Sequence, residues 1–287
     1  MTHRLIIGDY TYSSWSLRGW LLLHRFGIPF RPELVEFDQD SVANQLKAHA
    51  PARTVPTLIT DTGDVVWDSL AIAEELATRH PDAGIWPSDP SMRALARNLA
   101  AEMHSGYNSL RNECPMNLSV AYNGFDPSDG TKADLARIDY VWGHALERSN
   151  GPWLCGEYSA VDAFFAPVAA RIAGYGLSVG EAAQAYVARH LADLAFRRWR
   201  ALGEARAVAL PWYAKDFDTV DWPGPKPLSA HIVESGTAEN ANCPYSGKPV
   251  THLFEVKGRT FGVCNANCRA KTVADPEAWP AFMALLA

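Results

Sequence analysis

An α/β first unit, an all-helical second unit and a small Cys-rich α+β unit at the C-terminal end are what this sequence predicts. Three observations carry that expectation. Residues 1–82 open as strand, helix, strand and close with two adjacent strands and a helix, the order of an α/β sandwich. Residues 88–210 keep a helical period through several successive segments. Three of the five cysteines, Cys243, Cys264 and Cys268, crowd the far end of the chain.

Composition narrows the class. The 287 residues are 48% hydrophobic and 20% charged, enough apolar content for real cores and too little charge for disorder. A net charge of −6 and the lack of a basic cluster argue against a nucleic-acid partner. The N-terminus does not read as a signal peptide, and the most apolar stretch, "AFFAPVAARIAGYG", is interrupted by Pro167, Arg171 and two glycines, so no membrane partner is expected. The expectation is a cytoplasmic protein whose cysteines are thiols or metal ligands. Residues 211–236 are rich in proline, turn residues and charge without a helical period, and read as a linker.

In the first unit the spacing predicts strand 4–8, helix 14–27, strand 32–36, helix 41–48, strands 57–60 and 65–67, and helix 69–79. Leu17, Trp20, Leu21 and His24 recur at helical intervals, and Gly27 supplies a stop. Three places bear on function. "SSWS" at 13–16 stands where a strand gives way to that helix; a serine there is an ordinary N-cap, or a hydroxyl that meets an anion at the positive helix end. Val55-Pro56 opens a strand, an ordinary place for proline and a special one if the bond is cis. Asp68-Ser69 stands where a strand ends and a helix begins, either as a cap or as an anion cradle.

Taken in order, "SSWSLRGWLLL", "TVPTL" and "DSLAIAEEL" resemble the thioredoxin-like domain of glutathione transferases, most closely the serine-type, zeta-like members with their Ser-Ser-x-Ser-x-Arg pattern. The resemblance implies that the glutathione thiol meets Ser13 or Ser14. It implies that Val55, before an expected cis Pro56, pairs its backbone with the tripeptide, that Asp68 and Ser69 receive the γ-glutamyl end, and that Arg53 adds a basic contact. The family's usual Gly-x-Val-Pro reads Arg53-Thr54-Val55-Pro56 here, and its usual Asn/Ser-Pro reads Ala50-Pro51.

The second unit reads as helices over 88–114, 131–149, 160–173, 179–188 and 191–206. Ser159 three residues before Asp162 is a capping-box variant, and resembles the buried helix cap of the same family's helical domain. Met103, Tyr107 and Arg111 fall at i, i+4 and i+8 and are expected on one helix face. Such a stripe is commonly core, but the resemblance makes this helix a wall of the electrophile pocket, so Tyr107, Arg111 and Met116 are pocket candidates. Arg111 suits a carboxylate-bearing substrate because its fork binds carboxylates bidentately. His104 is a possible acid or base, though more ordinarily structural.

The third unit, 237–287, reads as a hairpin (249–256 and 259–263) turning at Lys257-Gly258, then a helix over 265–272. Cys243 precedes the hairpin, Cys264 ends it and Cys268 follows one helical turn later. That is the arrangement of a small treble-clef-like metal site in a segment too short to bury much core by itself. "GRTFGVCNANCRAKTVADPEAW" is similar to the TRASH/YHS-like modules, with Ser246 where many members carry their first cysteine. Thiolates favour zinc or copper(I) over magnesium or calcium, which makes zinc the first candidate ion; no fourth ligand is evident, His252 and His231 being the nearest histidines.

The function these readings imply is a glutathione transferase that ionises the glutathione thiol at a serine hydroxyl and directs it at a small-molecule electrophile. One alternative is a glutathione-dependent cis–trans isomerase of the maleylacetoacetate isomerase kind. Another is a non-catalytic protein of the same fold that senses metal or binds a partner through its cysteines. A homodimer is expected by resemblance only.

Overall fold

The computed structural model describes residues 2–287. The chain divides into two compact units, Met1–Leu191 with Leu210–Pro223, and Ala192–Ala209 with Gly224–Ala287.

The first unit begins β1 (His3–Ile7), α1 (Ser14–His24), β2 (Phe30–Leu34), α2 (Val42–Gln45), β3 (Thr57–Ile59), β4 (Val65–Val66) and α3 (Ser69–Arg79). The sheet order is β2-β1-β3-β4, with β1 parallel to β2 and the other pairs antiparallel. Pro32 is tolerated because β2 is an edge strand. Alternation along β1 serves both faces: Ile6 packs with Val35, Leu46 and Ile59, while Leu5 lies on the side of α1. Helix α1 stops three residues earlier than its expected end. Gly27 at φ +66° closes it, with the Ile28 amide donating to the Leu23 carbonyl (3.0 Å) and the Gly27 amide to that of His24 (3.3 Å). At Gly19 a Cβ would lie 2.7 Å from Pro56, so glycine lets α1 rest directly on the Val55-Pro56 turn.

The helical part of this unit comprises α4 (Pro90–Ser105), α5 (Asn108–Glu113), α6 (Asp129–Arg148), α7 (Ala160–Gly174) and α8 (Glu181–Ala192). The single helix expected over 88–114 is broken. Gly106 is extended, and a Cβ there would sit 2.7 Å from the Glu102 carbonyl; Tyr107 follows at φ +57°. Met103, Tyr107 and Arg111 therefore do not share one helix face. Helix α7 is almost wholly buried and carries the expected capping box, the Ser159 amide donating to Asp162 at 2.9 Å. The Tyr186 hydroxyl and the Leu154 amide also donate to Asp162. The supposed linker is structured: β5 (Ala121–Asn123) pairs antiparallel with β6 (Asp218–Val220).

The second unit joins α9 (Leu194–Arg206), β7 (Ala230–Val233), β8 (His252–Val256), β9 (Arg259–Val263), α10 (Ala266–Ala274) and α11 (Pro280–Leu286). Its antiparallel sheet has the order β7-β8-β9, and β8 and β9 turn at Lys257-Gly258 with φ of +53° and +72°, as a two-residue hairpin of type I′ requires. Phe254, Phe261 and Phe282 form the core with Ala201 of α9. Arg197 of α9 holds Asp275 through two bonds of 2.7 Å. The helix expected at 191–206 as the last of the all-helical region thus packs with the Cys-rich segment, whose own apolar residues are too few to close a core alone.

Candidate functional site

A cavity of about 620 Å³ opens in the first unit where the N-termini of α1 and α3, the Val55 turn, α5 and α7 converge. Of the residues singled out in the sequence, Ser13, Ser14, Arg53, Val55, Asp68, Arg111 and Met116 line it. Pro56, Ser69 and Tyr107 are not among its lining.

The two serines differ. Ser13 is the N-cap of α1 and is buried; its hydroxyl accepts from the Ser16 amide (3.3 Å) and donates to the Ser16 hydroxyl (2.8 Å), which accepts in turn from the Gly8 amide (2.9 Å). Ser14, the first helical residue, is half-buried, and its oxygen accepts from Arg171 Nη2 at 3.4 Å. Its hydroxyl hydrogen is left for a ligand at the positive end of α1.

Arg171 comes from the apolar helix α7 and is nearly buried. Nε donates to the Cys114 carbonyl (2.8 Å) and Nη1 to that of Pro167 (3.1 Å), which fixes the guanidinium against Ser14. Burial, reinforced by Arg111, lowers its pKa to about 10, so it stays charged at neutral pH. Trp15 meets two further cations. Its ring centroid is 4.7 Å from the Arg111 guanidinium carbon and 4.5 Å from that of Arg18. Arg18 is buried, with Nε and Nη1 making no hydrogen bond among the described residues, and burial followed by Arg171 and Arg111 holds it well below the ordinary arginine range. Arg53, Arg111 and Arg171 in the lining face one carboxylate, Asp68, so the cavity favours anions.

Asp68 caps α3, accepting from the Leu70 amide at 3.0 Å, while its other oxygen lies 3.1 Å from His104 Nε2. Ser69 is fully buried and its hydroxyl has no partner among the described residues. The Val55-Pro56 bond is cis, as the resemblance implied. Tyr107 is buried and donates to Glu102 at 2.8 Å, with its ring against Phe165; it is a core residue rather than a pocket wall.

Sequence reasoning passed over Trp15, Arg171 and Tyr213, which also line the cavity. Arg171 had a signal: a charge in the middle of an apolar helix needs a reason to be there. Tyr213 had none, since its surroundings read as linker.

In the second unit, one ligand sulfur each from Cys243, Cys264 and Cys268 lies within 4.8 Å of the others, a spacing that one soft metal ion can span. The turn at Cys243 is tight: the Gly247 amide donates to the Cys243 carbonyl (2.9 Å), with Gly247 at φ +68°. Burial raises the Cys243 thiol, but backbone N–H donors from Tyr245 and Cys264, with the hydroxyl and the amide of Ser246, outweigh it and bring the pKa to about 7. Burial raises Cys268 to about 11, against the pull of Lys271. The Ser246 hydroxyl donates to Cys264 Sγ at 3.2 Å. No fourth His, Cys, Asp or Glu joins the trio among the described residues.

The fold of the thioredoxin-like and helical parts is that of glutathione transferases. A glutathione transferase homolog from Burkholderia gl BGR1 solved with bound glutathione superimposes with a TM-score of 0.53 at 22% identity, covering 69% of this chain and 96% of that one. The omega 2S glutathione transferase of Trametes versicolor gives 0.55 at 18% identity, covering 74% and 99%. In sequence, residues 12–79 match the family model for the glutathione S-transferase N-terminal domain. A probable maleylacetoacetate isomerase of Caenorhabditis elegans is 35% identical over 107 residues, 37% of this chain and 50% of that protein. Glutathione S-transferase 1 of Dianthus caryophyllus is 28% identical over 189 residues, 63% and 83% of the two chains. The match to the isomerase thus spans half of that relative's length. No helix among the described residues is long and apolar enough to cross a membrane.

Proposed function

We propose that the protein is a glutathione transferase in which the cavity of the first unit binds glutathione and Ser14 ionises its thiol. The observation that carries this reading is the Ser14 hydroxyl at the N-terminus of α1, its oxygen occupied by Arg171 at 3.4 Å and its hydrogen unassigned. Ser14 then donates to the glutathione sulfur, and the helix terminus and the arginines favour the thiolate over the thiol. The backbone of Val55 pairs with the tripeptide, and Asp68 and Arg53 take its charged ends. Ser69 contributes only if ligand binding opens its buried hydroxyl. The thiolate attacks a small electrophile lying against Arg111, Met116 and Arg171, and the arginines suit one that bears a carboxylate. The test is an ultraviolet thiolate titration of bound glutathione. Ser14→Ala moves the thiol pKa towards about 8.5, the unperturbed value. An unchanged pKa in Ser14→Ala overturns the assignment.

Glutathione-dependent cis–trans isomerisation is the second reading, favoured by relatives described as maleylacetoacetate isomerases from three organisms. It uses the same thiolate, and regenerates glutathione instead of consuming it, so loss of free thiol during turnover separates the two.

For the second unit we propose that Cys243, Cys264 and Cys268 hold one thiophilic metal ion, zinc being the first candidate. The donor set supports this: three thiols in one cluster, one of them eased towards thiolate by amide and hydroxyl donors. Elemental analysis of the untagged full chain tests it, with one equivalent of metal expected and none after replacing all three cysteines by serine. A homodimer, expected by resemblance, is checked by light scattering.

A further inference from the structure

Helix α10 brings a cation towards the three sulfurs of the second unit. Lys271 follows Cys268 by three residues and so lies one turn further along the same helix face. Its ammonium stands 4.0 Å from the ring centroid of Tyr245 and 4.0 Å from that of Trp279. Both rings are pinned. Trp279 Nε1 donates to the Lys271 carbonyl at 2.9 Å, and the Tyr245 hydroxyl meets that of Thr272. The two rings contact each other edge-on, centroids 5.7 Å apart. A lysine ordinarily carries its charge out into water; this one is half-buried against two aromatic rings.

Lys271 makes no ion pair with a carboxylate among the described residues. Burial lowers its pKa, and the groups that act against burial are sulfurs: Cys268, Cys243 and Cys264 each favour the charged amine. Arg198 of α9 repels it; the Arg198 Nε is committed to the Ala278 carbonyl at 2.6 Å. The sulfurs have neutral donors too, Ser246 Oγ and Asn265 Nδ2 reaching Cys264 at 3.2 and 3.3 Å. Such donors ease a thiolate but leave the net charge of the cluster where it was. A divalent ion among three thiolates leaves one negative charge uncompensated. In a site partly withdrawn from water that excess is costly unless a cation stands close by.

We propose that Lys271 is the counter-cation of the Cys243, Cys264 and Cys268 cluster, held by Tyr245 and Trp279 where it offsets the negative charge that three thiolates leave on a divalent ion. The inference rests on the reading of the cluster as a metal site. Lys271 does not ligate; it acts through the sulfurs, as a positioning residue that sets how much charge the cluster can hold. The aromatic rings replace part of the hydration that the ammonium gives up. They do so without a carboxylate, which would cancel the charge before it reached the sulfurs. The effect depends on the charge left over. Arsenite exchanges three As–O bonds and three S–H bonds for three As–S bonds and releases three waters, so its trithiolate is neutral and gains nothing from Lys271. Packing, by contrast, is indifferent to the charge of what the sulfurs hold.

The test compares the full wild-type chain with two uncharged variants, Lys271→Met and Lys271→Gln, and with Lys271→Arg, which keeps the charge. Zinc affinity is measured by competition with a chromophoric chelator, and arsenite affinity by equilibrium dialysis with elemental analysis. Circular dichroism of each metal-free variant checks its fold, and either uncharged variant that folds carries the comparison. The expected result is a loss of zinc affinity of about 10- to 100-fold in the uncharged variants, unchanged arsenite affinity, and zinc affinity near wild type in Lys271→Arg. An equal loss for zinc and arsenite overturns the proposal and makes Lys271 a packing residue. Wild-type zinc affinity in the uncharged variants overturns it as well, and so does a loss in Lys271→Arg as large as theirs. A wild-type protein that binds no zinc overturns the metal reading itself, and this proposal with it.

Discussion

Ser13 and Ser14 are adjacent and chemically identical, yet their surroundings divide the work between them. Both line the cavity, but Ser13 spends its hydroxyl on Ser16 and so holds the turn, whereas the Ser14 hydroxyl meets only Arg171. Ser13→Ala is expected to lower stability by about 0.5–2 kcal/mol, the usual cost of a lost N-cap, with the pKa of bound glutathione unchanged. Ser14→Ala is expected to do the reverse. Urea unfolding and thiolate titration of both variants read the two effects separately. His190 makes a second prediction. It is enclosed by Trp153 and Tyr186, and burial drives its pKa down to about 3. The unfolded chain, with an ordinary histidine near 6.5, binds the proton more readily, so this group's contribution to stability is full above pH 6.5 and is lost as pH falls towards 3. Asp162, raised to about 6 by burial, acts oppositely between about pH 4 and 6, its carboxylate costing stability as pH rises. Replacing His190 by leucine should therefore shrink the stability lost between pH 7 and pH 5 by about 2 kcal/mol, measured by denaturant titration at both values.

Elements explain what was legible in the sequence and what was not. The first strand, the serine-capped α1, the Val55-Pro56 turn and the Asp68-capped α3 announce themselves because cap, period and turn agree locally. The break between α4 and α5 does not, because Tyr107 in a left-handed conformation has no sequence signature, whereas glycine there would have suggested one. Strands β6 and β7 are three and four residues long and mostly exposed, so neither carries alternation strong enough to read. Arg171 was legible as an anomaly in α7 but not as a neighbour of Ser14, since 157 residues separate them in the chain. The turn of Cys243 to Lys248 makes a prediction of its own. A site with three protein ligands keeps an open position, whereas four make a closed one. With Ser246 beside the sulfurs, Ser246→Cys is expected to slow release of bound zinc to a chelator at least tenfold, read with a colorimetric indicator. Unchanged release would mean that Ser246 does not face the open position.

For the molecule as a whole, charge is set against itself. The chain carries a net charge of −6, yet the cavity lining has three arginines to one carboxylate. An anionic ligand is attracted locally and repelled at longer range, and salt acts on both. The screening length falls from about 30 Å at 0.01 M to about 8 Å at 0.15 M. Added salt in that range is expected to weaken glutathione affinity, because the lining arginines, of which Arg53 is exposed and Arg111 half-buried, are its near neighbours, while leaving KM for a neutral electrophile unchanged. Isothermal titration across the salt series checks this; an affinity that rises with salt would mean that the long-range repulsion dominates.

The route of the chain through its two units has a consequence for anyone who would take the protein apart. The backbone passes from one unit to the other three times, after Leu191, Ala209 and Pro223. A protease that nicks any one of these passages yields no fragment that is either unit alone. Cutting after Leu191 strips the first unit of the segment Leu210–Pro223, which carries Tyr213 and β6. Cutting after Pro223 leaves α9 attached to it, without the Phe254, Phe261 and Phe282 core. Gene fusion or fragment exchange confined to residues after Pro223 meets the same obstacle, because α9, which completes the core of the Cys-rich unit, lies upstream of that boundary.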